Sequence, residues 1–363
     1  MDKRAYNFNA GPAALPLAVL ERAQQELVEY KGIGMSIMEI SHRSKEYEAL
    51  NTETQELLKE LMGIPDGYQI LFLQGGASSQ FAMIPMNFLK PGRVGSYVHT
   101  GAWAEKAYKE AKLLGHEVHI AATSEAHDFM QIPELNEIEI HPDSAYLHIT
   151  SNETIGGTQF QEYPNTGNVP LIADMSSDIL CRPVDVSKFA MIYAGAQKNL
   201  GPSGVTIAII REDLLQDLPK NIPTMLRYEI HSTNNSLYNT PPVYSVYMVN
   251  LVLKWIKENG GVEAMEQTNR AKAKLIYDAI DESKGFYIGC AAPASRSLMN
   301  LTFRLASEEL EKSFIKQAEA AGFVGLKGHR SVGGLRASAY NAVPMEACEA
   351  LANFMRDFQQ KNS

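Results

Sequence analysis

The stretch YAGAQKNLGPSG, residues 193–204, decides the fold of this chain. It forms a glycine-containing turn that presents one lysine, Lys198, and it connects two apolar runs at 189–193 and 205–210. Short apolar runs bounded by turn residues are typical of buried strands. The stretch therefore predicts two neighbouring strands joined by a turn that carries a lysine.

Another apolar run, residues 170–173, ends at Asp174. One strand ending in a carboxylate and another followed by a lone lysine suit a pyridoxal phosphate enzyme. In such enzymes a lysine amine binds the cofactor aldehyde covalently, and an aspartate keeps the pyridine nitrogen protonated so that the ring can accept electrons. The spacing alone leaves a plainer interpretation open, because most lysines after strands are surface residues and such an aspartate is often a helix N-cap.

The bulk composition is that of an ordinary globular protein. The 363 residues leave room for about two domains, and 45% of them are hydrophobic while 21% are charged. A formal net charge of −9 argues against non-specific binding to nucleic acid or to anionic membranes, since such binding leaves a basic footprint. We expect small-molecule partners, with no nucleic acid and no membrane.

Cysteine usage and the apolar segments predict a cytoplasmic location. Cys181, Cys290 and Cys348 are scattered, and no CxxC or Cys/His ligand set accompanies them, so we expect a reducing compartment and no metal site. The first seven residues lack the apolar segment of a signal peptide. The longest apolar stretch, residues 243–256, is interrupted by polar residues and is too short to span a bilayer.

Strand-like and helical segments alternate along most of the chain. The strand-like runs are residues 68–73, 94–98, 118–121, 145–150, 170–173, 189–193 and 205–210. The helical segments among and before them are residues 17–30, 44–62, 79–88 and 104–114. This alternation predicts an α/β fold with a mainly parallel sheet sandwiched by helices. Ligands of such sheets bind at the carboxyl ends of the strands.

The C-terminal part predicts a smaller α+β domain. Two helices, residues 242–258 and 262–283, flank the glycine pair at 260–261. A strand at 297–305 and helices at 307–321 and 345–360 follow. We therefore predict a large cofactor-binding domain over residues 16–260, and a small domain over residues 261–363 together with the N-terminal segment 1–15.

Groups suited to a cofactor follow other predicted strands as well. The turn at 75–78 begins a helix whose backbone amides could hold a phosphate, although a simple turn capped by Ser78 fits equally well. Trp103 could stack on a planar ring, although a lone tryptophan is usually a core residue. The Thr154 hydroxyl could reach a phenolic oxygen on that ring. Each signal is weak alone, but together they favour a cofactor site.

Two basic clusters predict an anionic substrate. His42-Arg43 and His329-Arg330 lie in glycine-flanked loops, and Arg336 follows the second pair. Arginines in such loops suit bidentate capture of carboxylate or phosphate groups. Either cluster alone is more simply a solvated loop. Both together, in an acidic protein, point to a substrate with two anionic ends.

With these motifs the chain resembles the class V aminotransferases, pyridoxal phosphate enzymes of fold type I, and within them the branch that acts on phosphoserine. The resemblance runs nearly end to end. It is carried by NFNAGPA at 7–13, SHRS at 41–44, the 75–76 glycine loop, the Asp174 strand, GAQKNLGP at 195–202, YNTPP at 238–242, GHR at 328–330 and GGLRAS at 333–338.

The resemblance implies a role for each candidate cofactor residue. Lys198 would bind the cofactor aldehyde, Asp174 would pair with the ring nitrogen, Trp103 would stack on the ring and Thr154 would bind its hydroxyl. The residues implied to hold the phosphate are Ala77, Ser78 and Gln197, with Asn239 and Thr240 reaching in from a partner subunit. Some family members carry an arginine in the phosphate loop where this chain has Ser78, so the phosphate here would depend on backbone N–H groups and hydroxyl groups.

The resemblance also implies substrate residues and a homodimer with shared active sites. Arg336 would bind the substrate α-carboxylate. His42, Arg43, His329 and Arg330 would bind the distal phosphate, or the side-chain carboxylate of glutamate, with one of these pairs supplied by the partner subunit.

The reaction implied is reversible transamination between L-glutamate and 3-phosphohydroxypyruvate, giving O-phospho-L-serine and 2-oxoglutarate for serine biosynthesis. The phosphorylated threonine analogue 4-phosphohydroxy-L-threonine, on the route to pyridoxine, is an expected further substrate. Three alternatives stay open. One is a class V aminotransferase for another small amino acid, which would not need a second His-Arg pair. Another is a desulfurase, which would need a cysteine in a mobile glycine-rich loop. The last is a non-catalytic cofactor-binding regulator, which has little use for a proton-shuttling lysine.

Overall fold

A computed structural model describes residues 4–362. The α-helices in this part of the chain are α1 (Leu17–Glu26), α2 (Lys45–Met62), α3 (Gly76–Phe88), α4 (Ala102–Leu113), α5 (Tyr228–Thr233), α6 (Val243–Glu258), α7 (Gly261–Asp281), α8 (Glu308–Ala320) and α9 (Met345–Asn362). The strands are β1 (Tyr6–Asn7), β2 (Tyr68–Leu73), β3 (Val94–His99), β4 (Val118–Thr123), β5 (Ser144–Thr150), β6 (Asn152–Glu153), β7 (Thr158–Gln159), β8 (Leu171–Asp174), β9 (Met191–Gly195), β10 (Thr206–Arg211), β11 (Tyr287–Gly289), β12 (Asn300–Leu305), β13 (Phe323–Val324) and β14 (Leu335–Ser338).

The central sheet has seven strands in the order β2-β10-β9-β8-β5-β3-β4. Strand β10 is antiparallel to both of its neighbours, and the remaining neighbouring pairs are parallel. All strands of this sheet except β10 therefore run in one direction, and their carboxyl ends share one edge. The predicted α/β fold with a mainly parallel sheet is confirmed.

Both faces of this sheet are buried, and successive residues of a strand contribute to opposite faces. Leu171 and Ala173 belong to one apolar cluster, whereas Ile172 between them belongs to another. Tyr146 and Leu147 on β5 divide in the same way. This division follows from the two-residue period of a strand, and helices cover both faces as expected of a parallel sheet. Residues of α2 and α6 cover one face, and residues of α3 and α4 cover the other.

A separate apolar cluster forms the core of the C-terminal part. It surrounds the antiparallel sheet β11-β12-β14, and helices α7, α8 and α9 contribute to it. The N-terminal segment joins this core, because β1 pairs with β13 and Phe8 packs in the same cluster. We propose that each core belongs to one of the predicted domains, the large one over residues 16–260 and the small one over residues 261–363 with 1–15. Residues 1–3 and 363 lie outside the described residues. Helix α7 links the two cores, since Val262 belongs to the first and Ile276 to the second.

Element boundaries differ from the sequence prediction at several places. Helix α1 ends at Glu26 rather than at residue 30, and α3 begins at Gly76 rather than at residue 79. The short strands β1, β6, β7, β11, β13 and β14 and the helix α5 were not predicted. Elements this short span too few residues to show a hydrophobic period. Across residues 4–362, every helix is too short or too polar to cross a membrane.

Candidate active site

A cavity of about 600 Å³ lies at the carboxyl edge of the central sheet. This volume suits a small-molecule ligand. Nine of the predicted site residues line it: Ala77, Ser78, Trp103, Thr154, Asp174, Gln197, Lys198, His329 and Arg336. Between residues 4 and 362, no group of three or more His, Cys, Asp or Glu side chains could hold a metal ion.

The sheet topology explains why these distant residues meet. Asp174 is the last residue of β8, and Lys198 lies in the turn directly after β9. Trp103 lies in the first turn of α4, which follows β3, and Thr154 directly follows β6. Because the parallel strands β3, β5, β8 and β9 end at the same edge, residues at or shortly after their carboxyl ends, including Thr154 after β5, reach the same cavity.

Asp174 is buried, Lys198 is half-buried, and the two side chains interact electrostatically. Burial lowers the pKa of the Lys198 amine, while the carboxylates of Asp174 and Glu153 oppose this shift. Burial raises the pKa of the Asp174 carboxyl group, and hydrogen bonds from Ser176 and the charge of Lys198 oppose that rise. The backbone N–H of Ser176 donates to Asp174 Oδ1 at 2.9 Å. A lowered lysine pKa makes the neutral amine, which can attack a carbonyl group and move a proton, more accessible near neutral pH.

Trp103 and Thr154 hold each other. The indole Nε1 of Trp103 donates to Thr154 Oγ1 at 2.9 Å. Lys198 Nζ lies 5.6 Å from the centre of the indole ring, and Lys106 Nζ lies 4.1 Å from it. The hydrogen bond fixes the orientation of the indole, so a rigid aromatic surface lines the cavity beside the lysine.

Glu153, which was not among the predicted site residues, binds the backbone at the start of α4, where Trp103 lies. Its carboxylate is 1% exposed and accepts from the backbone N–H of Ala104 at 2.9 Å and of Trp103 at 3.3 Å. These amides belong to the first turn of α4, where a carboxylate is favoured. Burial raises the pKa of Glu153 to about 7. A Cβ atom at Gly101 would lie 2.7 Å from the carboxyl carbon, so this close approach requires a glycine.

The burial of Glu153 was not predicted, because a glutamate shortly after a strand is ordinarily exposed. The signal that could have found it is its place directly before Thr154, after a run predicted to be a buried strand.

The amino end of α3 lines the cavity without a side-chain cap. Its N-cap residue, Gly75, has a φ of +92°, and a Cβ atom there would lie 1.9 Å from Ser79 Oγ. Ser78 lies within the helix rather than at its cap, so the simple capped turn considered above is wrong. Uncapped amides of a helix amino end favour an anion. The described geometry is therefore suited to a phosphate.

Arg336 provides a second place for an anion. Its Nη1 donates to the backbone carbonyl oxygen of Thr154 at 2.8 Å, while its Nε is buried and has no hydrogen-bond partner. Burial lowers the pKa of Arg336. A buried guanidinium with an unpaired N–H group favours a carboxylate ligand, because an unsatisfied buried donor is unfavourable.

The N-terminal segment forms part of the wall, and no local pattern predicted this placement. Ala10, Gly11 and Pro12 line the cavity, and a Cβ atom at Gly11 would lie 3.6 Å from Lys198 Cε. The segment is fixed to the lysine turn, because the backbone N–H of Ala13 donates to the carbonyl oxygen of Gln197 at 2.9 Å.

The remaining predicted site residues do not line this cavity of the described chain: His42, Arg43, Asn239, Thr240 and Arg330. Arg43, Thr240 and Arg330 are exposed. The carbonyl oxygen of Thr240 accepts from Gln74 Nε2 at 3.2 Å, close to the glycine turn that precedes α3. Of the five residues predicted to bind the substrate, His329 and Arg336 line the cavity of their own chain.

Comparisons with known proteins agree with this geometry. Residues 5–351 match the family model described as aminotransferase class-V. The chain is 66% identical over 360 residues to the phosphoserine aminotransferase of Niallia circulans, covering 99% of each protein. It superposes on the structure of phosphoserine aminotransferase from Bacillus circulans subsp. alkalophilus with a TM-score of 0.98, at 65% identity and 99% coverage of each chain.

A further structural relative is a PLP-bound phosphoserine aminotransferase from Trichomonas vaginalis. It is 41% identical to this chain, and the match covers 97% of this chain and 100% of that one, with a TM-score of 0.93.

Proposed function

The chain belongs to the class V aminotransferase family, and from that premise we propose that it is a pyridoxal phosphate-dependent transaminase acting on phosphoserine. Its reaction exchanges an amino group between L-glutamate and 3-phosphohydroxypyruvate, giving O-phospho-L-serine and 2-oxoglutarate. A relative named for this activity is 66% identical over 99% of this chain, which supports the proposal. The family resemblance found in the sequence is confirmed.

The observation that carries the proposal is the fit between the cavity and the chemical groups of pyridoxal phosphate. The cofactor has an aldehyde, a ring nitrogen, a planar ring and a phosphate. The cavity offers the Lys198 amine, the Asp174 carboxylate, the fixed indole of Trp103 and the uncapped amino end of α3. Each group thus has a partner of matching chemistry.

We assign the cofactor contacts accordingly. Lys198 would bind the aldehyde, Asp174 would pair with the ring nitrogen, and Trp103 and Thr154 would hold the ring and its hydroxyl. Ala77, Ser78 and Gln197 would hold the phosphate. When bound, the cofactor supplies an electron sink for the charge left on the substrate once its α-proton is removed.

The chain itself supplies proton movement and substrate orientation. The Lys198 amine is poised to accept and return the α-proton, since burial favours its neutral form. Arg336 would bind the substrate α-carboxylate through its unpaired Nε, while its bond to the Thr154 carbonyl keeps the guanidinium fixed. Fixing the carboxylate in this way aligns the α-carbon with the lysine.

We further propose a homodimer with shared active sites. A phosphorylated substrate needs a second anchor for its distal end, yet Arg43 and Arg330 lie outside the cavity of their own chain. The exposed loop at 41–44 and the segment 239–240 are therefore proposed to serve the cavity of the partner subunit. Dimers with two-fold symmetry make such an exchange reciprocal. A cytoplasmic location fits the unpaired state of Cys181, Cys290 and Cys348.

A visible spectrum of the purified protein tests the proposal. We expect a yellow protein that bleaches on addition of L-glutamate and recovers on addition of 3-phosphohydroxypyruvate. A yellow protein that ignores both compounds would keep the fold and replace the substrate with that of another class V aminotransferase. A protein that stays colourless after incubation with pyridoxal phosphate would overturn the assignment of Lys198.

4-Phosphohydroxy-L-threonine, added in place of glutamate, tests the wider substrate range in the same cuvette. Bleaching by this compound would support a second role on the route to pyridoxine. Indifference would confine the enzyme to serine biosynthesis.

A further inference from the structure

A buried chain of polar side chains lies behind Asp174. Tyr193 on β9 is the register partner of Asp174 on β8, so the two side chains lie on the same face of the sheet. The Tyr193 hydroxyl lies 2.9 Å from His148 Nε2 on β5. Tyr193 is 0% exposed and His148 is 1% exposed. None of the steps assigned above uses either residue.

The surroundings of His148 determine the direction of its hydrogen bond with Tyr193. His148 Nδ1 is buried and has no hydrogen-bond partner. Burial lowers the pKa of His148 to about 3, so its imidazole is neutral and carries one N–H group. A proton on Nδ1 would leave a buried donor unsatisfied, whereas a proton on Nε2 donates to the Tyr193 oxygen. The Nε2-protonated tautomer is therefore favoured.

This tautomer leaves the hydroxyl proton of Tyr193 free to point toward Asp174. If Tyr193 donated to His148 instead, its oxygen lone pairs would face the carboxylate and the two groups would repel each other. Tyr193 indeed lowers the pKa of Asp174, against the larger opposite effect of burial. Ser176 and Lys198 act in the same direction as Tyr193.

We propose that His148 and Tyr193 are positioning residues, which pass hydrogen bonds in one direction to Asp174 and keep its carboxylate ionised and oriented for the ring nitrogen of the cofactor. This inference rests on the proposed function, because it concerns the partner of a ring that the function requires. An ionised Asp174 attracts a protonated ring nitrogen, so the relay strengthens cofactor binding.

The sheet contains a matched control for this relay. Tyr97 and Tyr146 on the adjacent strands β3 and β5 are also buried, and their hydroxyl groups lie 2.6 Å apart. The ring of Tyr97 packs against His148, with ring centres 5.2 Å apart, whereas the Tyr146 hydroxyl pairs with that of Tyr97. Replacing Tyr146 therefore removes a buried hydroxyl of the same kind while leaving the hydrogen bond between His148 and Tyr193 in place.

The first experiment measures the dissociation constant of pyridoxal phosphate by equilibrium dialysis, together with thermal unfolding of the apoprotein. We expect Tyr193→Phe to weaken cofactor binding about tenfold or more, as for loss of a hydrogen bond to a charged group. Tyr146→Phe should lower the unfolding temperature comparably and leave the dissociation constant unchanged. Equal dissociation constants for Tyr193→Phe and the wild type would overturn the relay.

A second pair of variants tests His148 and stays decisive if Tyr193→Phe does not fold. His148→Leu removes the donor to Tyr193, whereas His148→Gln can place an amide N–H close to the position of Nε2. We expect weaker cofactor binding in His148→Leu and recovery toward the wild-type value in His148→Gln. Identical dissociation constants in these two variants would contradict a donated hydrogen bond.

A double-variant cycle tests whether the relay acts through Asp174. In an Asp174→Asn background, Tyr193→Phe should no longer change the dissociation constant, because no carboxylate is left to stabilise. The same fold-change in both backgrounds would assign Tyr193 to general packing. Failure of the wild type to bind pyridoxal phosphate is a different result, and it would overturn the proposed function rather than the relay.

Discussion

Two lysines with lowered pKa values, in different regions of the molecule, show what makes such a residue useful for chemistry. Lys198 lines the cavity at the edge of the central sheet, and the carboxylates of Asp174 and Glu153 act on it. Lys272 on α7 is 0% exposed, and its Nζ donates to two backbone carbonyl oxygens, at 2.7 and 3.0 Å. Burial lowers the pKa of both lysines.

The difference lies in access and in the kind of partner. The partners of Lys272 are fixed carbonyl oxygens of the 340–343 turn, so its amine ties that turn to α7. Lys198 faces space for a ligand and lies beside groups that titrate. A perturbed pKa by itself therefore does not mark a lysine as a candidate for catalysis, whereas a perturbed pKa in a cavity with charged neighbours does.

Replacing Lys198 gives the largest expected effect and tests the comparison most directly. We expect Lys198→Ala to lower turnover about 10³-fold or more, since both the covalent link and the proton transfer depend on this amine. Turnover is measured with L-glutamate and 3-phosphohydroxypyruvate at saturating cofactor. Lys272→Met is the control, and its folded fraction should keep its turnover. Comparable losses in both variants would erase the distinction between the two lysines.

Lys272 should instead affect how the free energy of unfolding depends on pH. Its pKa in the folded protein is lowered to about 8, below the ordinary lysine value. Between these two values the unfolded chain binds more protons, so the free energy of unfolding should rise with pH by about 3 kcal/mol. Below pH 8 both states hold the proton and the slope disappears.

This slope is best measured by denaturant unfolding in a Lys198→Ala background, which removes the other lysine. Adding Lys272→Met should abolish most of the rise between pH 8 and the ordinary lysine pKa. A slope that survives in the double variant would show that Lys272 is not its source.

Two buried aspartates extend the comparison to carboxylates. Burial raises the pKa of both Asp174 and Asp178, but only Asp174 lines the cavity. We expect Asp174→Asn to lower kcat about 10²-fold at saturating cofactor, because the ring nitrogen loses its anionic partner. Asp178 accepts from Ser151 and Gln159, so Asp178→Asn should affect stability rather than kcat. A nearly normal kcat in Asp174→Asn would disprove the assigned pairing.

The smallest expected effect concerns the exposed loop at 41–44. If Arg43 binds the distal phosphate in the partner subunit, Arg43→Ala should raise KM for 3-phosphohydroxypyruvate about tenfold or more, as for loss of a charged hydrogen bond. Arg270→Ala is the control, because this exposed arginine pairs with Glu266 on the same helix, away from the cavity. An unchanged KM would assign Arg43 a structural role.

The central sheet and the cofactor end of the site were largely predictable because their signals are local. The runs at 68–73 and 145–150 coincide closely with β2 and β5; Asp174 ends β8 and Lys198 lies in the turn after β9, as expected. A strand buried on both faces needs a continuous apolar run, and a turn needs glycine or polar residues. Such requirements are written in a few adjacent residues.

The supporting contacts of the site could not be predicted in this way. Arg336 donates to the carbonyl of Thr154, 182 positions away along the chain. Lys272 lies on a helix recognised as amphipathic, and nothing in that pattern indicates that its amine is fully buried. Contacts of this kind depend on how helices and strands distant in the sequence pack against each other. The hydrophobic periodicity of a single element carries no information about that packing.

The sequence by itself determined the class of fold and the strand ends that polar groups occupy or follow, among them Asp174 and Lys198. Each of these follows from hydrophobic period and turn chemistry over a short window. Only the tertiary structure decided that Glu153 lies under Trp103, that Gly11 lies against Lys198, and that Tyr193 and His148 stand behind Asp174. Their positions arise from packing between elements far apart in the chain. Such packing must fill space closely and give each buried polar group a hydrogen-bond partner.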